Sequence, residues 1–90
     1  MNLKPTKLAL KAIGKLDAKQ YRQVVSAILG LLSNPEPHDS KQLRGATRGE
    51  RRIDVGEYRV IYCVDGENVE VLVVGKRNDG DVYSVWERSK

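Results

Sequence analysis

The hydrophobic pattern of this chain changes period at Asn34-Pro35, and that change decides what it can fold into. Ahead of it, apolar residues recur at helical spacing. After it, they run in short β-branched stretches broken by glycine turns. Ala9, Ala12, Ile13 and Leu16 follow Thr6, a good cap, and predict a first helix. Asp17 stands three residues before Gln20, a variant of the capping box that opens a second helix. Its apolar stripe is Tyr21, Val24, Val25, Ile28 and Leu32. Pro35 ends it, because proline lacks a donor and restrains the residue before it. The two stripes predict an antiparallel helical hairpin that needs a sheet to cover one face. Leu3 suits a short strand ahead of it.

The second half supplies the sheet. Arg51-Arg52-Ile53-Asp54-Val55 and Tyr58-Arg59-Val60-Ile61-Tyr62-Cys63-Val64 flank Gly56-Glu57. Asp65-Gly66 is a hairpin signal, and Val69-Glu70-Val71-Leu72-Val73-Val74 completes a meander. A turn at Asn78-Asp79-Gly80 then leads to a short final segment with Tyr83 and Trp86. The last two strands are apolar on both faces. The hairpin covers one face, and no second set of helices is evident for the other, which is expected to be open to a partner or substrate. The expected fold is α+β: an N-terminal helical hairpin packed on one face of a small, mainly antiparallel sheet. Ninety residues make one domain over 1–90.

Composition narrows the chemistry. With no Phe, one Trp and four Tyr, the core must be aliphatic. Cys63 has no partner for a disulfide, which suits a reducing cytoplasm. No apolar run approaches the roughly 20 residues of a membrane helix, and the N-terminus lacks the apolar segment of a signal peptide. The expected location is cytoplasmic, with no membrane partner. A structural zinc site usually needs four Cys or His ligands, and here there are His38 and Cys63 alone. A Ser-His-Asp arrangement would rest on His38, which lies in the polar loop 33–40 and reads as a surface residue. Gly45 and Gly49 lack the Lys-Ser or Lys-Thr of a phosphate loop.

What remains is basic charge. The net charge of +4 permits phosphate-rich partners without demanding them. Lys41, Arg44, Arg48, Arg51, Arg52 and Arg59 crowd residues 41–59 against Glu50, Asp54 and Glu57, and Lys76-Arg77 follows the next apolar run. Side chains on a strand alternate, so Arg52 and Asp54 share a face. A tight meander could bring Arg52, Arg59 and Arg77 to one phosphate, where guanidiniums would stabilise the extra charge of a phosphorane-like transition state. Spacing alone favours the plainer reading, in which these arginines form salt bridges or line a solvated edge.

Four stretches in order carry a resemblance: Gln42-Leu43-Arg44-Gly45, then residues 52–62, then Val74-Gly75-Lys76-Arg77, then Asp81-Val82-Tyr83. Together with Leu31-Leu32-Ser33-Asn34-Pro35 they make the chain similar to the RelE family of toxins, within the RelE/ParE superfamily. The resemblance implies a ribosome-dependent messenger RNA endonuclease that needs no metal or other cofactor. Arg52, Arg59 and Arg77 match residues that hold the scissile phosphate. Tyr83 matches a tyrosine that stacks on a base and takes a proton from the 2′-hydroxyl. Lys41, Arg44, Arg51 and Lys76 are candidate contacts to the RNA backbone. The implied partners are an acidic RelB-like antitoxin, the ribosome and its messenger RNA, with the chain a monomer or part of a toxin–antitoxin hetero-oligomer.

One residue departs from the pattern. Asp54 stands where well-known members of the family carry a second basic residue, proposed to protonate the leaving group. An ordinary aspartate is an anion at pH 7 and cannot do so. Either Lys76 or Arg52 replaces that function, or Asp54 pairs with a neighbouring arginine, or activity is weak. Two other classes stay open: a ParE-like inhibitor of DNA gyrase without nuclease activity, and an RNA-binding module whose arginines only grip phosphates.

Overall fold

A computed structural model of the protein describes residues 1–78 and 81–89. Thr6 opens α1 (Lys7–Gly14) by accepting a hydrogen bond from the Ala9 amide at 3.0 Å, and its hydroxyl donates to the Leu72 carbonyl at 2.9 Å. One side chain thus satisfies an orphan helix donor and ties the helix to a strand. Asp17 caps α2 (Ala18–Ser33) by accepting from the Gln20 amide at 2.9 Å. Gln20 Oε1 accepts from the Tyr58 hydroxyl at 3.1 Å, so its side chain serves the sheet. The buried stripe of α2 is Val24, Ile28 and Leu31. Tyr21, expected in that stripe, is exposed.

Five strands form one sheet among the described residues: β1 (Asn2–Pro5), β2 (Lys41–Gln42), β3 (Arg51–Val55), β4 (Tyr58–Asp65) and β5 (Asn68–Lys76), in the order β1-β5-β4-β3-β2. Only the β1–β5 pairing is parallel. Gly56 and Gly66 take φ of 59° and 60° at the two tight turns, the positive values that match strand twist in a short hairpin. In β4–β5, Ile61 pairs with Val73 and Tyr62 with Val71, which leaves Leu72 as the extra residue of a bulge. Because of that shift Val69, Val71 and Val74 all join the core under the helices. That core adds Ile53, Val60 and Tyr62 from the sheet and Ala9, Ile13, Val24, Ile28 and Leu31 from the helices. The Tyr62 hydroxyl donates to the Pro35 carbonyl at 2.7 Å and fixes the chain just beyond α2.

The other face is not left open. The final segment forms a third helix, α3 (Asp81–Ser89), and Val82 and Trp86 pack on Leu43, Ile61 and Val73 in a second apolar cluster. The expectation of an uncovered face is therefore corrected. Val82, Val85 and Trp86 give α3 its own apolar stripe at i, i+3 and i+4, too short to register as a helix in the sequence. The expected turn at Asn78-Asp79-Gly80 lies largely outside the described residues. No helix among the described residues is long and apolar enough to cross a membrane.

Glu50 links α3 to the loop before β3. It is 2% exposed, and its carboxylate accepts from the Arg48 amide at 2.8 Å. Burial pushes its pKa up, but the Arg48, Glu50 and Thr47 amides and the Trp86 indole outweigh that and hold it below the usual glutamate range. A carboxyl lowered in the folded state stabilises the fold above its ordinary pKa of about 4.3, and that contribution is lost as pH falls through the folded value. Glu50→Ala is expected to cost about 2–3 kcal/mol, as for a charge-assisted buried group. Urea unfolding at neutral pH measures the loss. Repeated in acid, the same titration should show the parent and the variant converging.

Candidate active site

Ile53 lies in the core beneath the helices, so its neighbours Arg52 and Asp54 leave β3 on the opposite face. The register sets Arg59 directly across from Asp54 on one side and from Gly75 on the other. Beyond β5, the Arg77 amide donates to the Glu57 carbonyl at 2.9 Å and carries the ladder one residue further. Tyr83 belongs to α3, held over the sheet by its neighbour Val82.

These elements gather three guanidiniums on one carboxylate. Arg59 Nε donates to Asp54 Oδ1 at 2.7 Å and Nη2 to Oδ2 at 3.2 Å, a forked pair. Arg52 Nη1 lies 3.4 Å from Asp54 Oδ2, and Arg77 Nη1 lies 3.9 Å from the same oxygen. Arg59 Nη1 also donates to the Tyr83 hydroxyl at 2.6 Å, with Cζ 5.2 Å from the centre of the ring. The Arg59 hydrogen bond, helped by the charges of Arg59, Arg52 and Arg77 against a smaller cost of burial, holds Asp54 below the usual carboxylate range. Asp54 in return raises the already high pKa of Arg59. Arg59 is the most enclosed of the three cations, while the Arg77 side chain is 49% exposed and forms the solvent side of the cluster.

Arg52, Arg59, Arg77 and Tyr83 are thus brought together. The other candidates are not. Arg51 pairs with Tyr62 in the register and points to the helix side, where Nε donates to Ser40 Oγ at 3.0 Å and Nη1 meets Glu36 at 3.5 Å. Period-two alternation along β3 puts it on the face opposite Arg52, a signal that its choice as an RNA contact overlooked. Lys76 follows Gly75 and so leaves β5 on the helix side, exposed. Lys41 on β2 and Arg44 in the following loop are exposed on the β2 edge. Of the alternatives for Asp54, the structure shows pairing with the arginines. Sequence reasoning missed Gly75. A Cβ there would stand 2.5 Å from Val82 Cγ2, so α3 packs on bare backbone.

The sequence model of a family described as the ParE toxin of type II toxin–antitoxin systems matches residues 3–80. No curated protein matches the chain. Among solved structures, the isolated Escherichia coli RelE toxin is similar at 28% identity and a TM-score of 0.74, over 98% of this chain and 96% of that one. RelE in the intact E. coli RelBE complex reaches 30% identity and a TM-score of 0.72, over 83% and 94%. The archaeal RelE–RelB complex from Pyrococcus horikoshii OT3 gives 28% and 0.74, over 84% and 93%. A helical hairpin on a small sheet with this extent of match defines a type II toxin of the RelE/ParE superfamily. The chain belongs to the RelE family within it.

Proposed function

We propose that the chain is a ribosome-dependent endoribonuclease, with Arg52, Arg59, Arg77 and Tyr83 as its catalytic residues. The observation that carries this reading is the convergence of three guanidiniums on a single anion position, with a phenol bonded to the central one, Arg59. Tyr83, acting as the phenolate beside the Arg59 cation, takes the proton of the 2′-hydroxyl and becomes the phenol, while the 2′-oxygen attacks the adjacent phosphorus. The phosphorus–O5′ bond breaks, leaving a 2′,3′-cyclic phosphate and a 5′-hydroxyl. The guanidiniums stabilise the charge that builds on the phosphate oxygens. Being too basic to give up a proton, they leave the 5′-oxygen to be protonated by water. The ribosome supplies the in-line geometry of the messenger RNA, which substitutes for part of the entropic barrier. A RelB-like antitoxin holds the toxin inactive, as the RelE–RelB assemblies of the related proteins suggest.

Mapping messenger RNA 5′ ends after brief induction tests the reading: breaks inside translated codons are expected. Arg77→Ala and Tyr83→Ala should each remove those breaks and relieve growth arrest. If both folded variants arrest growth like the parent, the assigned site is wrong. One observation favours a second reading. Asp54 neutralises part of the cationic cluster, and the matching family model is that of ParE, so a gyrase inhibitor without nuclease activity is the alternative. Intact messenger RNA with gyrase-dependent DNA damage would select it.

A further inference from the structure

Phosphate and carboxylate recruit the same donors. A guanidinium fork binds either one through two parallel N–H···O bonds. In this chain the position on which the three guanidiniums converge, Arg59 as a fork and Arg52 and Arg77 each through one nitrogen, is already filled by Asp54 from the adjoining strand. We propose that Asp54 is a built-in anion that occupies the phosphate position of the arginine cluster, so that a phosphodiester binds only by exchanging with it and the site rests closed. The inference rests on the reading that this cluster takes the phosphate of RNA.

Three features support exchange rather than a permanent structural ion pair. First, the cluster is at the surface. Side-chain exposure is 32% for Asp54 and 49% for Arg77, so neither the departing carboxylate nor the arriving phosphate crosses a packed core. Second, among the described residues three positive charges face one negative charge, and the surplus still draws a polyanion. Tyr83, the remaining titratable group shown against the cluster among those residues, contacts Arg59 and not Asp54. Third, the carboxylate holds all three guanidiniums within 4 Å of itself, around one anion, where they would otherwise repel one another. Because Asp54 is tethered, it competes at a high effective concentration. A lone phosphate therefore binds poorly, and a ligand held in place by other contacts, such as messenger RNA on a ribosome, displaces it.

The test compares the full chain with Asp54→Asn, which keeps the shape and removes the charge. The probes are inorganic phosphate and an uncleavable 2′-deoxy dinucleoside monophosphate, followed by NMR of the arginine Nε–H signals at low ionic strength. The variant is expected to bind both probes about ten-fold more tightly or better, since the tethered competitor has gone. The Arg59 signal of the parent should shift only near saturation. Equal or weaker binding by the folded variant overturns the proposal. If the variant melts prematurely at low salt, phosphate should restore cooperative melting at ionic strengths where chloride does not. Failure of phosphate to outdo chloride also overturns it. The readout is binding, so it separates from the nuclease reading. Tighter binding without messenger RNA breaks leaves the exchange standing and removes the nuclease. Breaks without tighter binding do the reverse.

Discussion

Arg59→Ala is expected to lower messenger RNA cleavage on ribosomes by about 10²–10³-fold, the usual effect of removing one preorganised donor from a developing anion. Arg59 bonds both Asp54 and Tyr83. Its loss takes away a forked contact to the anion position and leaves the phenol without the donor that orients it. Arg52 and Arg77 remain, at 3.4 and 3.9 Å from Asp54, each through one nitrogen. Neither reproduces the fork. Arg59→Lys keeps the charge but presents a point cation, so it should recover only a small part of the rate. Stability should move little by comparison, because Asp54 is partly solvated, at 32% side-chain exposure, and ion pairs open to solvent contribute about 0–1 kcal/mol. Cleavage assayed beside thermal melting checks both halves. Retention of a third or more of the parent rate would show that the reacting phosphate lies elsewhere.

The parts of the fold that local chemistry decides were legible in the sequence. Thr6 and Asp17 act on amides three residues ahead, so the two caps could be read without tertiary information. Gly56 and Gly66 bend the chain for reasons internal to their turns. Elements that exist through a distant partner were faint or silent. β1 was signalled by Leu3 alone, because its parallel pairing depends on β5, more than 60 residues away in the chain. β2 is the polar pair Lys41-Gln42, which no propensity marks and which forms by pairing with Arg51-Arg52. The bulge at Leu72 is likewise a property of two strands together.

The candidate site divides in the same way. Alternation set Arg52 and Asp54 on one face, and the meander brought Arg59 beside them. The same alternation, not applied to Arg51, would have removed it from the RNA contacts, since its guanidinium is engaged with Ser40 and Glu36 on the helix side. Asp54 was visible as an acid among bases, but its distance from each arginine depends on the register of β3 with β4. The position of Tyr83 depended on a helix that the sequence did not reveal. Its placement is set by how closely α3 approaches β5, which a glycine permits and no periodicity records.

That dependence makes Gly75→Val the second large effect. Even a single Cβ at position 75 would meet Val82 Cγ2 at 2.5 Å, and the longer branches of valine reach further toward α3. Val82 is buried, and a β-branched side chain in a helix has little freedom to turn away. The start of α3 must therefore lift, carrying the adjacent Tyr83 off Arg59. Overpacking of this kind costs about 1–3 kcal/mol, a fall in Tm of roughly 4–8 °C for each kcal/mol in a chain this small. The core beneath the helical hairpin lies on the other face of the sheet and should survive. Cleavage should fall by about 10²-fold, more than the melting shift accounts for, because the phenol loses its place. Pairing Gly75→Ala with Val82→Ala trims the clash from the other side and should recover activity beyond what the single effects add to. A Gly75→Val protein that cleaves at the parent rate would break the link between this glycine, the seat of α3 and the working position of Tyr83.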